Sequence, residues 1–303
     1  MANATLPGNL GILCVAHGTI EDLAEIPEFL KVIRRGRPPS PALIHELTER
    51  YRRIGGSPLN AVTARQAQAL GQRLGIPALW GMRLWKPWVA DVLKEQTETL
   101  TSICVLPLAP FSVQIYCDAA EEALSSVLQG APGPTLFRVE PWGSQPGYVN
   151  WFATRIQESL AKSAESTQVI LTAHSLPTRA IQAGDRYQLE VSACALAVSA
   201  ALARPTELAY QSQGADGGDW LGPDLKAALK QAAASGFKRV IVAPIGFVSE
   251  HVETLYDLDI EAAGWAKEFG LGWERVAAPN DDPAFIQVLE HVARAAIKRN
   301  ASL

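Results

Sequence analysis

Five carboxylates and a histidine crowd one short stretch of this chain: Glu250, His251, Glu253, Asp257, Asp259 and Glu261, with no Lys or Arg between Arg239 and Lys267. On a helix turning roughly 100° per residue, Glu253, Asp257 and Glu261 fall within about 80° of one face, and Glu250 falls inside the same arc. Like charges four residues apart destabilise a helix by about 0.2–0.5 kcal/mol per pair. An unbalanced stripe of this kind requires a reason. One reason is a solvated acidic face. The other is a cation, since oxygen donors suit hard or borderline divalent metals and a nearby imidazole moves the preference toward transition metals.

A second histidine has a comparable setting. His174 ends the apolar run Val169-Ile170-Leu171-Thr172-Ala173 and is followed by Ser175-Leu176-Pro177. Open α/β folds place ligands at the carboxyl ends of such strands. An ordinary imidazole, with a pKa of about 6.5, is mostly neutral at pH 7 and can take a proton or hold a metal. The first half of the chain repeats the pattern. Leu10 to Val15 runs into Ala16-His17-Gly18, and Ile103 to Phe111 resembles Val240 to Phe247. Two similar α/β lobes with a cleft between them would explain this, with His17 and the residues after Pro107 facing His174 and the residues after Pro244. The matched positions are few, and coincidence is the competing explanation.

The elements that must position these residues follow from apolar runs and their breakers. Ile26 to Ile33 reads as a helix with Pro27 in its first turn. It leads into Arg34-Arg35-Gly36-Arg37, which is either a basic surface loop or a set of guanidinium forks for carboxylate or phosphate. Pro41 to Ile54 is a second helix, stopped by Gly55-Gly56 and carrying Arg50 and Tyr51 near its end. Ser57-Pro58 opens a third helix through Leu74. Strands are expected at 78–82, 103–108, 137–139, 169–173, 208–212, 240–243 and 274–277. A helix is expected over 89–100, others run to 128, over 148–163, 185–202 and 224–235, and a loop over 214–222 holds Asp216, Asp219 and Trp220. The breaker cluster Pro141-Trp142-Gly143 to Gly147 places a domain boundary. The result is an α/β, doubly wound architecture with an N-terminal lobe over 1–142, a C-terminal lobe over 143–281 and a closing helix in 282–303 able to pack back on the first lobe.

The chain has 303 residues, 48% of them hydrophobic, which is enough for two cored domains. Its net charge of −4 gives no basic surface for nucleic acid. The first residues lack the basic and apolar regions of a signal peptide. Thr99 to Cys117 carries no charge, but its prolines and polar residues favour a buried strand and a site loop over a membrane span. Cys14, Cys104, Cys117 and Cys194 show no Cys-x-x-Cys spacing, so zinc and iron–sulfur sites are not expected, and a reducing cytoplasm fits.

The longer motifs carry a family resemblance. Thr172-Ala173-His174-Ser175-Leu176-Pro177, Gly184-Asp185-x-Tyr187, Tyr210-Gln211-Ser212, Trp220-Leu221-Gly222-Pro223 and above all Ser249 to Glu261 resemble the ferrochelatases, which insert ferrous iron into a porphyrin in heme biosynthesis. The resemblance covers nearly the whole chain. It implies two Rossmann-like lobes whose parallel sheets flank a porphyrin cleft. It implies that His174 and Glu253 carry the chemistry and that Asp257 and Glu261 extend a path for the metal. Ile33-Arg34-Arg35-Gly36-Arg37-Pro38 and Phe111-Ser112-Val113-Gln114-x-Tyr116 are most like the coproporphyrin III branch. By that pattern Arg34, Arg50, Tyr51, Ser57 and Tyr116 contact the porphyrin. His17 stands where that branch usually has a Tyr able to bind iron axially. The family implies Fe2+ as a substrate with no permanently bound cofactor. No iron–sulfur cluster, no stable membrane insertion and a monomer are expected. The alternatives are a protoporphyrin IX ferrochelatase, a cobalt or sirohydrochlorin chelatase, and a non-catalytic tetrapyrrole-binding protein.

Overall fold

Short β-branched and aliphatic runs form buried parallel strands here because both of their faces are covered by helices. The computed structural model describes residues 9–214 and 218–300. The loop residue Asp216 and the first eight residues lie outside that range. The chain divides into two units. The first is built from β1 (Leu10–Ala16), α1 (Ile26–Ile33), α2 (Pro41–Ile54), α3 (Leu59–Leu74), β2 (Ala78–Met82), α4 (Val89–Lys94), β3 (Ser102–Pro107), α5 (Val113–Leu128) and β4 (Thr135–Arg138). Its four strands pair in the order β2-β1-β3-β4, all parallel. Every residue of β1 is buried.

The second unit holds α6 (Pro146–Leu160), β5 (Thr167–His174), α7 (Thr178–Gln182), α8 (Tyr187–Ala201), β6 (Glu207–Gln211), α9 (Leu225–Ala234), β7 (Arg239–Ala243), α10 (Val252–Leu255), a π-helix (Asp257–Ala262), α11 (Ala263–Glu268) and β8 (Gly272–Arg275). Its sheet is β6-β5-β7-β8, again all parallel. The two sheets therefore share one strand order, with β1 matching β5 and β3 matching β7. His17 follows the first of these strands and His174 ends its counterpart, as the sequence repeat suggested.

The units are not continuous in sequence. Pro110–Ser112 belongs to the second unit. The Ser112 N–H donates to Glu190 Oε2 at 2.8 Å, its hydroxyl donates to Asp185 Oδ1 at 2.7 Å, and Gly143 N–H donates to the Pro110 carbonyl. The chain returns to the first unit at Asn280. There α12 (Pro283–Asn300) packs on α3. Arg73 bonds Glu290 at 2.6 Å, Arg65 bonds Asp281 at 2.9 Å, and the Gln66 side chain donates to the Asn280 carbonyl.

Two local expectations change. The helix after Trp88 stops at Lys94 instead of Leu100, because the polar residues after Lys94 offer no apolar face to continue it. The acidic stretch is not one α-helix. It is a short α-turn, a π-helix and a further α-turn, so α-helical angles do not hold across Asp257 to Glu261.

Candidate active site

His174 is the last residue of β5, and its ring is fixed by two backbone groups. Its Nδ1 lies 2.5 Å from the Ser175 carbonyl. A carbonyl only accepts, so Nδ1 carries a proton and Nε2 is the atom presented to the site. The His174 carbonyl in turn accepts from the Tyr187 hydroxyl at 2.9 Å. Ser175 is buried, its hydroxyl donating to the Leu221 carbonyl and its N–H to the Gln211 carbonyl.

Glu253 sits in α10, brought to His174 by the turn that follows β7. That turn runs against β5 at Gly246, whose N–H donates to the Thr172 carbonyl. A Cβ at Gly246 would lie 2.9 Å from both Cα and Cβ of Ala173, so only glycine permits the approach. Glu253 Oε1 then lies 3.6 Å from His174 Nε2, and Oε2 lies 3.7 Å from His251 Nε2. The His251 Nδ1 is satisfied by the Ser249 carbonyl at 3.0 Å. Glu253 Oε2 is buried and accepts no hydrogen bond.

The electrostatics follow from this pair. Burial pulls the His174 imidazole down, but the Glu253 carboxylate, the Ser175 carbonyl and Asp257 outweigh it and raise the pKa to about 9. Burial likewise opposes ionisation of Glu253, yet His174 and His251 hold it well below the usual carboxylate range. The ordinary imidazole value used for His174 from sequence therefore does not carry over, because the buried Glu253 carboxylate favours the protonated ring.

Asp257 and Glu261 lie on the π-helix. Asp257 is buried, and its Oδ2 accepts from the Ser212 hydroxyl at 2.5 Å. Glu261 is half-buried. Among the described residues no three His, Cys, Asp or Glu side chains form a ready-made metal cage. The stripe is also less unbalanced than its sequence suggests. Arg275, from the end of β8, bonds Asp259 through two hydrogen bonds and Glu250 through a third.

The expected porphyrin contacts lie in the first unit. His17 follows β1 and is exposed, its carbonyl accepting from Leu84 N–H. Tyr51 is buried, and its hydroxyl shares a 2.7 Å hydrogen bond with Thr19. It thus supports the loop that carries His17. Arg34 closes α1, and the left-handed Arg35 and Gly36 that follow turn the arginine loop. Arg50 pairs with Glu46 at 2.7 Å, Ser57 accepts from Leu59 N–H, and the Arg83 guanidinium lies 5.6 Å over the Tyr116 ring.

Residues 9–297 match the family model described as Ferrochelatase. The chain belongs to the ferrochelatase family. Among its relatives, a ferrochelatase of Deinococcus radiodurans is 36% identical over 96% of this chain and 97% of its own length. A coproporphyrin III ferrochelatase of Bacillus subtilis is 32% identical over 93% of this chain and 96% of its own length. Among solved structures, SirB from Bacillus subtilis with Fe3+ aligns with a TM-score of 0.65 at 12% identity, covering 97% of this chain and 98% of that one. CbiX aligns with a TM-score of 0.57 at 15% identity, over 94% and 99%. At these identities the likeness shows a shared chelatase-like fold and nothing finer. The chain is thus an enzyme of the ferrochelatase type, and His174 and Glu253, which the motifs singled out, lie side by side in it.

Sequence reasoning missed three supports of the His174 and Glu253 pair. Thr172 donates to Gln211 Oε1 at 2.7 Å, and Gln211 Nε2 donates to the Glu253 carbonyl at 2.9 Å, tying β5, β6 and α10 together. Ser212 orients Asp257. Arg275 braces the acidic segment. Gln211 and Ser212 stood in a quoted motif and could have been found there. Arg275 had no local signal.

Proposed function

We propose that this chain inserts Fe2+ into coproporphyrin III, releasing two pyrrole protons, as a step of heme biosynthesis. The observation that carries the reading is Glu253, 3.6 Å from His174 Nε2 through one oxygen and buried without a hydrogen-bond donor on the other. A separation of 3.6 Å is too long for a hydrogen bond. It suits two donors that share a cation. His174 and Glu253 supply the nitrogen and oxygen donors and form one acid–base pair for the pyrrole protons. Asp257 and Glu261 continue the path by which the metal arrives.

The choice of coproporphyrin III over protoporphyrin IX is supported by the arginine loop Arg34-Arg35-Gly36-Arg37, since four propionates offer more anionic partners for guanidinium forks than two. Relatives that act on coproporphyrin III support it too. Arg50, Tyr51, Ser57 and Tyr116 complete the porphyrin side. His17, an exposed imidazole, is the axial ligand of the product iron, being a softer donor to ferrous iron than a neutral phenol. The enzyme works as a cytoplasmic monomer with no resident cofactor or iron–sulfur cluster. No helix among the described residues is long and apolar enough to cross a membrane.

Anaerobic incubation with Fe2+ and each free porphyrin, followed by absorbance, tests the reading. Metalation of coproporphyrin III faster than of protoporphyrin IX is expected. Faster turnover of protoporphyrin IX would sink the substrate assignment, and binding without metalation would make this a carrier.

A further inference from the structure

The acidic segment contains no cation of its own, yet one guanidinium grips it at two points. Arg275 is almost fully buried, with 9% of its side chain exposed. Its Nε and Nη2 donate to the two oxygens of Asp259 at 2.6 and 2.7 Å, and its Nη1 donates to Glu250 Oε1 at 2.8 Å. Glu250 precedes α10, and Asp259 lies inside the π-helix. The two anchors therefore bracket Glu253 and Asp257. Glu250 is itself pinned by the Ala278 N–H at 2.8 Å and by the Thr254 hydroxyl. Arg275 reaches the segment from a fixed place, because β8 pairs with β7 in a register that sets Arg275 beside Val242.

We infer that Arg275 is a positioning residue for the metal side of the site: it holds the wide turn that sets Asp257 and Glu261 relative to Glu253. The inference rests on the iron-insertion reading above. The wide turn is visible in the backbone, where the Tyr256 carbonyl accepts from both Ile260 N–H at 3.1 Å and Glu261 N–H at 3.0 Å. Such π-turns are rare beside α-turns and persist where something holds them. Asp259 and Asp257 are held in different directions, one by Arg275 and the other by Ser212. Released from Arg275, the turn can tighten to α geometry. Glu261 then moves around the helix axis relative to Asp257. The porphyrin contacts in the first unit do not pass through this clamp.

A bidentate fork is the feature that matters, and lysine keeps the charge without the fork. The test uses Arg275→Gln, Arg275→Lys, Asp259→Asn and the double variant Arg275→Gln with Asp259→Asn. Steady-state constants for Fe2+ and for coproporphyrin III are measured anaerobically, with circular dichroism as the check on folding. The expected result is a KM for Fe2+ raised about five-fold or more in Arg275→Gln and Asp259→Asn, with the porphyrin KM within about two-fold of wild type. Arg275→Lys falls between, and the double variant is no worse than Arg275→Gln because Asp259→Asn weakens the same fork that Arg275→Gln removes. Iron and porphyrin constants rising in parallel, or effects that multiply in the double variant, would overturn the inference. Asp259→Asn, at a carboxylate 37% exposed, keeps the test available if Arg275→Gln does not fold. A wild-type chain that turns over while Asp259→Asn retains its KM for iron overturns this inference alone. A wild-type chain that metalates neither porphyrin overturns the functional reading, and this inference falls with it.

Discussion

A buried carboxylate oxygen that accepts no hydrogen bond costs stability unless it is occupied in use. Glu253 Oε2 is such an atom, and Glu253→Gln should remove turnover while leaving the fold intact by circular dichroism. His174→Ala should behave alike, each losing about 10²-fold or more in rate, the usual contribution of a general acid or base. Retention of wild-type turnover by either variant would remove that residue from the reaction. Ser212→Ala frees the buried Asp257 from its hydroxyl donor. Its expected effect is a stronger dependence of rate on metal concentration with unchanged porphyrin fluorescence quenching; an unaltered metal dependence would make Ser212 a packing residue. The identity of His174 was legible because a histidine at the end of an apolar run is a local pattern. Its proton was not. The carboxylate that raises its pKa arrives from a distant part of the chain through the pairing of β5 with β7.

Elements whose ends are written in the sequence came out residue for residue. Helix α2 begins where Ser40 accepts from Leu43 N–H ahead of Pro41, and ends where Gly55 turns left-handed. The π-helix had no such writing. Its residues satisfy an α-helical period well enough, and what widens the turn is the Arg275 guanidinium, sixteen residues after the Asp259 it grips. The turn after β7 depends on Gly246, and Gly246→Ala should cost about 1–3 kcal/mol through overpacking against Ala173 and lower turnover as His174 and Glu253 part. A thermal melt unchanged from wild type would show that the approach relaxes freely. Glu250 links the same region to pH. Burial opposes its ionisation, but Arg275, Thr254 and the Ala278 N–H prevail and lower its pKa in the folded state. The unfolded chain therefore binds more protons in the acid range, and this part of the stability is present above about pH 4.3 and is lost as pH falls through the folded value. The stability gap between wild type and Glu250→Gln should accordingly be widest near neutrality and shrink below about pH 5. A gap that stays constant into acid would contradict the assignment.

At the scale of the whole molecule, one strand order serves twice, and among the described residues only the second copy carries a π-helix, with His174 and Glu253 beside it. The repeat was legible from paired apolar runs with matching breakers, because parallel strands advertise themselves by composition. The assignment of segments to units was less so. Ser112 is drawn into the second unit by Asp185 and Glu190, which no local pattern announces. Helix α12 supplies the first unit with buried Phe285, Ile286, Leu289, Ala293 and Ala296. A chain ending at Asp282 should lose the melting transition of that unit, and a melt like that of the full chain would show that α12 is dispensable. This return has a consequence for synthesis. A ribosome releases β5 through β8, and with them the complete second sheet, before it releases α12. The unit that begins at the amino end is therefore the last to receive its final piece, so the half that holds His174 and Glu253 can finish folding while the other half still waits, against the usual order in which the first domain made is the first completed.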